Sequence, residues 1–203
     1  MYSRRFWVDT ETTGLDTKRH FAFQISYLIE ENDEILRSRT LEFRPERYDL
    51  YEFSKEAEDV HGYSREKIIS LQPEPAAFAV LIGDLKKYGR KRLTLAGYNI
   101  NFDIRFLKAI FDRNEVAKGI DSGAFYKYFD YMHFDILQFV QAYRIAGIIS
   151  LQHIDLESIC RYFGINTKEA HNSMADILNT KTVFDRMAGM IDRQKGFGFE
   201  LFS

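Results

Sequence analysis

The sequence predicts an α/β fold, in which a mixed β-sheet is flanked by helices. The N-terminal part contains three β-rich segments with short polar connections, a pattern that predicts an antiparallel meander. From about residue 54 onward, segments with apolar residues at helical spacing alternate with short strand-like segments, which implies a sheet covered by helices. No repeat or Pro/Gly-rich linker interrupts the chain, so we expect one domain over residues 1–203.

The predicted strands of the meander begin near the N-terminus. The first covers residues 4–9 and ends at a turn with the sequence T-E-T-T-G. The next two cover residues 21–30 and 35–44. Ser54 can then cap a short helix, and residues 74–88 carry apolar side chains on one helical face.

The second half of the chain alternates strands with helices. Residues 93–98 and 130–134 are predicted as strands. The helices of this half are predicted over residues 102–113, 136–146, 155–163 and 173–188. Gly164 is well placed to end the third of these helices.

Composition is that of a compact globular domain. With 45% hydrophobic and 15% aromatic residues, the chain can bury an ample core. Cys160 is the sole cysteine, which excludes an internal disulfide, and the N-terminus lacks the apolar core of a signal peptide. No apolar run approaches the roughly 20 residues that span a bilayer. We therefore expect a protein of the reducing cytoplasm that does not interact with membranes.

The net charge of −2 provides no overall attraction for nucleic acids. Binding to a nucleic acid would therefore depend on metal ions and on local basic patches. Short basic runs are the candidate patches, although such runs are also typical of an ordinary solvated surface: Arg4 with Arg5, and Lys86, Lys87, Arg90, Lys91 and Arg92.

Acidic residues lie at the predicted ends of several elements. Asp9 and Glu11 stand two apart at the end of the first strand, so in an extended chain both carboxylates project from one face. Asp103 follows a predicted central strand, where open α/β sheets usually bind ligands. Asp176 comes early in the last helix, after His171. Clustered carboxylates of this kind suit Mg²⁺ or Mn²⁺, so we expect two divalent cations.

Each of these residues also has an ordinary structural interpretation. Asp9 could belong to a turn at the strand end, and Asp103 could cap a helix. Asp176 could be solvated, and His171 could be a loop histidine. Asp135 heads a predicted helix and is interpreted mainly as its N-cap. The functional hypothesis therefore depends on the combination of residues.

Three ordered motifs contain the acids and the histidine. They are D-T-E-T-T-G at residues 9–14, N-I-N-F-D at 99–103 and H-N-S-M-A-D at 171–176. Together they resemble the DEDDh family of 3′-to-5′ exonucleases, in particular its proofreading group, with all five expected residues present. The segments V-H-G at 60–62, H-F-D at 133–135 and L-E-S-I-C-R-Y-F-G-I at 156–165 also resemble connecting segments of that group.

The resemblance implies a ribonuclease-H-like fold and hydrolysis of phosphodiester bonds at a 3′ end, with release of nucleoside 5′-monophosphates. It also implies that Asp9 bridges two Mg²⁺ ions, for which Mn²⁺ can substitute. Glu11 and Asp176 would complete the site of the ion that holds the attacking water. Asp103 would support the ion at the leaving oxygen, and His171 would be the general base. Ions about 4 Å apart can stabilise both oxygens of an in-line displacement.

The preferred substrate is a single-stranded or frayed 3′ end of DNA. Thr12 resembles the DNA proofreading group more than enzymes that degrade short RNA, which often carry Met at this position. Because RNA-specific and DNA-specific members share the five residues, an RNA-trimming 3′-to-5′ exoribonuclease is the alternative. A non-catalytic nucleic-acid-binding scaffold is a further alternative, and the intact set of metal ligands counts against it.

Contacts to the terminal nucleotide are predicted for residues beside the acids. Leu15 directly follows the D-T-E-T-T-G turn and is expected to wedge against the terminal bases, as the matching position does in relatives. The backbone N–H groups of Thr12 and Thr13 are expected to approach the terminal sugar. Asn99 and Phe102 could line the same pocket.

An aromatic-rich loop is predicted at residues 122–130, with Lys127 among its rings. Such a loop could line a channel for a single strand, although core packing is expected for at least two of its four rings: Phe125, Tyr126, Tyr128 and Phe129.

A short exposed tail is predicted at residues 195–203, with four apolar side chains: Phe197, Phe199, Leu201 and Phe202. The tail could bind a protein partner, because its E-L-F ending resembles the short peptides with which bacterial replication proteins bind the sliding clamp. Alternatively, the tail folds back onto the surface of the domain.

Overall fold

The structure is a computed structural model that describes residues 4–89, 91–116, 123–167 and 172–195, with side chains described as far as residue 190 except at residue 116. Its elements in chain order are β1 (Arg4–Thr12), β2 (Ala22–Glu31), β3 (Glu34–Glu42), α1 (Lys55–His61), α2 (Arg65–Ile69), α3 (Glu74–Tyr88), β4 (Leu93–Gly97), α4 (Asn101–Val116), α5 (Phe125–Tyr128), β5 (Phe129–Asp135), α6 (Ile136–Ile145), α7 (Leu156–Tyr162) and α8 (Ser173–Lys195). A turn of 3-10 helix lies at Tyr48–Leu50.

Within the described residues, five strands form one sheet in the order β3-β2-β1-β4-β5. β1, β2 and β3 pair antiparallel, as the short connections between them predict. β4 lies parallel to β1, and β5 extends the sheet parallel to β4. The predicted fold class is confirmed: three antiparallel strands are followed by parallel strands, and helices flank the sheet.

Apolar side chains cover both faces of the sheet. Phe6 and Val8 of β1 belong to one hydrophobic core, which contains residues of α3 and α4. Trp7, which points to the opposite face, belongs to a second core with residues of α6, α7 and α8. Burying one large apolar side chain contributes roughly 1.5–3 kcal/mol, so packing on both faces holds the central strand firmly. The residues that follow Trp7 on its face are thereby directed toward α8.

Helix ends use the caps that the sequence predicts. The Ser54 hydroxyl accepts a hydrogen bond from the N–H of Ala57 at 3.3 Å and caps α1. Asp135 Oδ1 accepts the N–H of Leu137 at 3.1 Å, which confirms Asp135 as the N-cap of α6. Gly164, which follows α7, has a φ of 66°, a left-handed conformation that glycine adopts without steric penalty.

β1 is longer than predicted. It continues to Thr12 rather than ending at Asp9, because pairing with β2 places Glu11 opposite Gln24 and Thr12 opposite Ala22. The interpretation of Asp9 as a turn residue is therefore wrong. Since Asp9 and Glu11 both lie within the strand, their carboxylates project from the same face, as the two-residue spacing predicts.

The aromatic segment that was expected to be a loop contains α5 and the start of β5. Its backbone is ordered by packing, because Phe125 and Phe129 are buried with ring centroids 5.4 and 6.0 Å from that of Phe111. This confirms that at least two of the four rings belong to the core. Tyr126 remains 42% exposed, and its hydroxyl accepts a hydrogen bond from Lys108 at 2.7 Å.

The structure leaves some predictions untested. Residues 196–203, which include the apolar side chains of the predicted tail, lie outside the described residues, so a partner-binding role stays a prediction. Among the residues that are described, none of the helices combines the length and the apolar character needed to cross a membrane.

Candidate active site

The four predicted acids come together at one end of the sheet. Asp9 and Glu11 lie on β1, and the other two lie in the first turns of helices, Asp103 in α4 and Asp176 in α8. Burial raises the pKa of Asp9 well above its usual value, and repulsion from the other three carboxylates raises this pKa further. The four carboxyl groups therefore lie close enough to one another to interact electrostatically, and we refer to them as one cluster.

The connection between β4 and α4 places Asp103 in the cluster. β4 is the parallel neighbour of β1, so the C-terminal ends of the two strands lie side by side. Asn99 makes the turn with a left-handed φ of 55°, and its N–H donates a hydrogen bond to Asp135 Oδ1 at 3.0 Å. The Asp135 carboxylate therefore ties the end of β4 to the end of β5, in addition to capping α6.

Asp103 is held by a residue that the sequence analysis did not single out. The N–H and the hydroxyl of Thr10 donate hydrogen bonds to Asp103 Oδ1 at 2.9 and 2.8 Å. Burial raises the pKa of Asp103 to about 7, and the bonds from Thr10 oppose this rise by favouring the ionised form. Thr10 stands between Asp9 and Glu11 in the first motif, and this position within the D-T-E triplet is the sequence feature that could have indicated its role.

Glu11 of β1 lies within electrostatic range of Asp176 of α8. Burial raises the pKa of Glu11 to about 7, and repulsion from the carboxylate of Asp176 adds to the increase. Without a compensating cation, Glu11 is therefore partly protonated near neutral pH. His171, the predicted general base, precedes α8 in the sequence and lies outside the described residues.

The chemistry of the cluster fits divalent cations. It supplies carboxylate oxygens, the ligands that Mg²⁺ and Mn²⁺ prefer, and bound cations would offset the repulsion that raises the pKa values. In the described part of the chain, no group of three carboxylate, imidazole or thiolate side chains is already close enough to hold a metal ion. The assignment of Asp9, Glu11, Asp103 and Asp176 as metal ligands stays a prediction.

The loop after β1 places Leu15 in solvent, where its side chain is 76% exposed. The loop is fixed by close packing, because a Cβ atom on Gly14 would lie 2.3 Å from the His20 ring. Thr13 belongs to the anchored part, since its N–H donates a hydrogen bond to the carbonyl of Phe21 at 2.9 Å. This N–H therefore already has a backbone partner, and contact of Thr13 with a sugar stays a prediction. Thr12 is buried, and its hydroxyl donates to the carbonyl of Gly14 at 2.8 Å.

Phe102 is half-buried beside Asp103, with its ring centroid 5.0 Å from that of Phe106 and 5.7 Å from the Arg105 guanidinium. It is thus partly accessible next to the acids. Asn99 contributes a turn and a backbone hydrogen bond, as described above. Contact of either residue with a substrate stays a prediction.

Ion pairs neutralise one predicted basic patch. Arg4 contacts Glu31 at 2.6 Å, and Arg5 contacts Glu30 at 3.0 Å. The interpretation of Arg4 and Arg5 as a patch that attracts polyanions is therefore wrong. In the second patch, the side chains at 86, 87, 91 and 92 are exposed, and Arg90 lies outside the described residues.

Comparison with known proteins identifies relatives. The model of the Exonuclease family, RNase_T, matches residues 6–184. The chain is also similar to a solved structure of E. coli exonuclease I in complex with a dT13 oligonucleotide, with a TM-score of 0.74 and 22% identity over 96% of this chain and 42% of that chain. Comparison with curated protein sequences gives no significant match.

Two further solved structures show the same similarity. One is the zinc-bound form of an E. coli ExoI–ssDNA complex, with a TM-score of 0.72 and 23% identity over 91% of this chain and 40% of that chain. The other is an ExoI/SSB-Ct complex, with a TM-score of 0.70 and 22% identity over 95% and 44% of the two chains. At these identities the similarity shows a shared fold. The chain spans about two fifths of the length of these relatives.

Proposed function

We propose that this protein, which belongs to the Exonuclease family RNase_T, is a 3′-to-5′ exonuclease. It removes nucleotides one at a time from the 3′ end of a DNA strand and uses divalent cations to do so. The observation that carries the proposal is the cluster in which Asp9 lies among three other carboxyl groups that raise its pKa: Glu11, Asp103 and Asp176. Ionised acids repel a phosphodiester, so a nuclease can use such a cluster only with cations between the acids and the substrate.

The electrostatics of the cluster support a division of roles. Asp9 interacts with all three other acids, so we assign it as the shared ligand of two cations. Glu11 and Asp176 repel each other and are assigned together to one cation. Asp103, oriented by Thr10, is assigned to the second cation.

When bound, Mg²⁺ or Mn²⁺ would stabilise negative charge on the attacking and leaving oxygens of the phosphoryl displacement. His171 is assigned as the general base, which accepts a proton from the attacking water on a ring nitrogen. The products would be nucleoside 5′-monophosphates.

DNA is the proposed substrate because of Thr12 in the D-T-E-T-T-G motif and because several structures similar to this chain hold DNA oligonucleotides. RNA trimming is the alternative within the same chemistry. A non-catalytic scaffold is the alternative outside it, and the presence of all four acids in one cluster argues against this alternative.

Matched oligonucleotides test the proposal. A 5′-labelled single-stranded DNA should shorten from its 3′ end in steps of one nucleotide when Mg²⁺ is present, and RNA of the same sequence should shorten more slowly. The control is the same DNA with a blocked 3′ end, which should stay intact. Faster shortening of the RNA would favour the RNA-trimming enzyme, and no shortening of either strand would favour the scaffold.

Replacing Leu15 with alanine should raise KM and reduce kcat for single-stranded DNA while leaving the affinity for Mg²⁺ unchanged. The Leu15 side chain is 76% exposed on an anchored loop directly after the acids, so it can contact a terminal base without altering the core. Burying a leucine side chain against a base contributes roughly 1.5–3 kcal/mol. Steady-state kinetics check the effect, with Ile145→Ala, the truncation of another exposed aliphatic side chain at the end of α6, as the control. Wild-type kinetics for Leu15→Ala would exclude the contact.

A further inference from the structure

α8 is attached to β2 by a buried hydroxyl that has no part in the chemistry proposed above. Ser173, the first residue of α8, is 1% exposed, and its hydroxyl lies 2.6 Å from the hydroxyl of Ser26. The Ser173 hydroxyl also donates a hydrogen bond to the side-chain amide oxygen of Gln24. Both partners lie on β2, so one side chain at the start of the helix contacts two positions of the strand.

The direction of every hydrogen bond in this group follows from counting protons. The amide nitrogen of Gln24 donates to Glu42 Oε1 at 2.9 Å, which leaves the amide oxygen of Gln24 to accept from Ser173. Ser173 has only one hydroxyl proton, so Ser26 must donate to Ser173. Ser26 then accepts from Thr40, whose hydroxyl is 2.7 Å away. Each of these three hydroxyl groups donates its proton once, so only one assignment of donors and acceptors satisfies all of the hydrogen bonds.

The partners of this hydroxyl lie directly beside the acids of β1. In the pairing of β1 with β2, Gln24 lies opposite Glu11, and Ser26 lies opposite Asp9. Opposite residues of an antiparallel pair project from the same face, with Cβ atoms about 4.5–5.5 Å apart. The first turn of α8 is therefore attached one strand away from both carboxylates.

A second anchor fixes the direction of the helix. Lys181 Nζ lies 3.0 Å from Glu30 Oε1, and Glu30 is fully buried on β2. The eight residues from Ser173 to Lys181 span about 12 Å of helix, and the four residues from Ser26 to Glu30 span about 13 Å of strand. The two attachments therefore match in length and align α8 along β2. Asp176 lies between them, three residues after Ser173 and on the same side of the helix.

We propose that Ser173 is a positioning residue, which sets the place of α8 along β2 and thereby the distance from Asp176 to the acids of β1. Gln24 and Ser26 are the two strand positions through which it acts. The role rests on the proposed function, because it concerns the same cluster of acids. Ser173 itself contacts neither the substrate nor a cation.

Ser173→Ala tests the proposal. The variant should lower kcat by on the order of tenfold with little change in KM for DNA, since misplacement by about 1 Å can cost about 10²-fold. The Mn²⁺ concentration that gives half of the maximal thermal stabilisation, measured without nucleic acid, should rise by a similar factor. Ser173→Thr, which keeps the hydroxyl, should recover most of both losses.

Tyr27→Phe is the matched control for a purely structural loss. Tyr27 also lies on β2 and is fully buried, but its hydroxyl donates to Asp84 Oδ2 at 2.8 Å on the opposite face of the sheet. This variant should lower the thermal midpoint and leave kcat and the response to Mn²⁺ as in the wild type. Should Ser173→Ala behave in the same way, with only a lower thermal midpoint, the positioning role is wrong.

Two further measurements cover a Ser173→Ala variant that does not fold and a wild-type protein that shows no nuclease activity. If Ser173→Ala does not accumulate as a folded protein, Gln24→Met, which removes the acceptor but keeps the length of the side chain, should show the paired loss of kcat and Mn²⁺ response. An unchanged Mn²⁺ response in Gln24→Met overturns the proposal. If the wild type shortens no oligonucleotide, the proposed function fails, and the Mn²⁺ response of Ser173→Ala still tests the positioning role.

Discussion

Replacing Asp9 with alanine is expected to lower the rate of nucleotide release by at least about 10³-fold at saturating Mg²⁺. A bound cation stabilises the transition state by several kcal/mol, and a loss of about 1.4 kcal/mol lowers the rate tenfold. Asp9 should show the largest loss among the acids because its carboxyl group interacts with all three others. Single-nucleotide release from a 5′-labelled strand measures the effect. The control is Glu157→Ala, which removes an exposed carboxylate paired with Arg161 at 2.6 Å and should leave the rate unchanged.

The same substitution should preserve or increase the stability of the metal-free protein. Burial and then repulsion raise the pKa of Asp9 in the folded state, so its ionisation destabilises the fold. Alanine removes both this cost and part of the repulsion on the remaining acids. Urea unfolding in a chelator at neutral pH measures the difference. Near-wild-type nuclease activity in purified Asp9→Ala would contradict the assignment of Asp9, and so would a large loss of metal-free stability.

The pH dependence of stability provides an independent readout of the cluster. Burial raises the pKa values of Glu11 and Asp103 to about 7, so the folded state binds more protons than the unfolded chain between about pH 4 and pH 7. The contribution of these two acids to the free energy of unfolding of the metal-free protein should therefore be largest near pH 4. It should be lost as the pH rises to about 7. The fall attributable to the cluster should be smaller in Asp9→Ala, because one source of repulsion is absent.

Local sequence patterns predicted most elements of the fold. The bounds of α3 agree with the prediction for residues 74–88, because its apolar spacing covers a helix long enough to show periodicity. α5 was missed because a helix of one turn has no such pattern and is not stable alone. It forms where Phe125 packs against Phe111 and Phe129. Tertiary packing of this kind cannot be read from the segment itself.

The acids of the site were predictable because each lies at a recognisable position of a motif. Their supporting contacts were not. Ser173 and Ser26 are 147 residues apart in sequence, and their hydrogen bond depends on how α8 is aligned with β2. Thr10 and Asp103 are 93 residues apart and meet because β1 and β4 are neighbours. Such contacts follow from the arrangement of strands and helices, which spacing along the chain does not specify.

Replacing His171 with alanine should lower kcat by on the order of 10² to 10⁴-fold, the usual contribution of a general base. In the wild type, the rate should rise with pH through the histidine pKa, ordinarily about 6.5, because only the neutral ring accepts a proton. This rise should be absent in His171→Ala. The affinity for Mn²⁺, measured by thermal stabilisation, should remain close to that of the wild type, because the carboxylates are the assigned ligands.

The pH profile must be measured at saturating Mg²⁺ to isolate the histidine. Glu11 and Asp103 have pKa values of about 7 without a cation, so their ionisation would also increase the rate in this range at low Mg²⁺. Saturating cation keeps both acids ionised, since protons and the cation compete for the same oxygens. His153→Ala, which removes an exposed histidine of the loop before α7, is the matched control and should keep the wild-type profile. If His171→Ala retains the rise with pH under these conditions, another group or hydroxide accepts the proton.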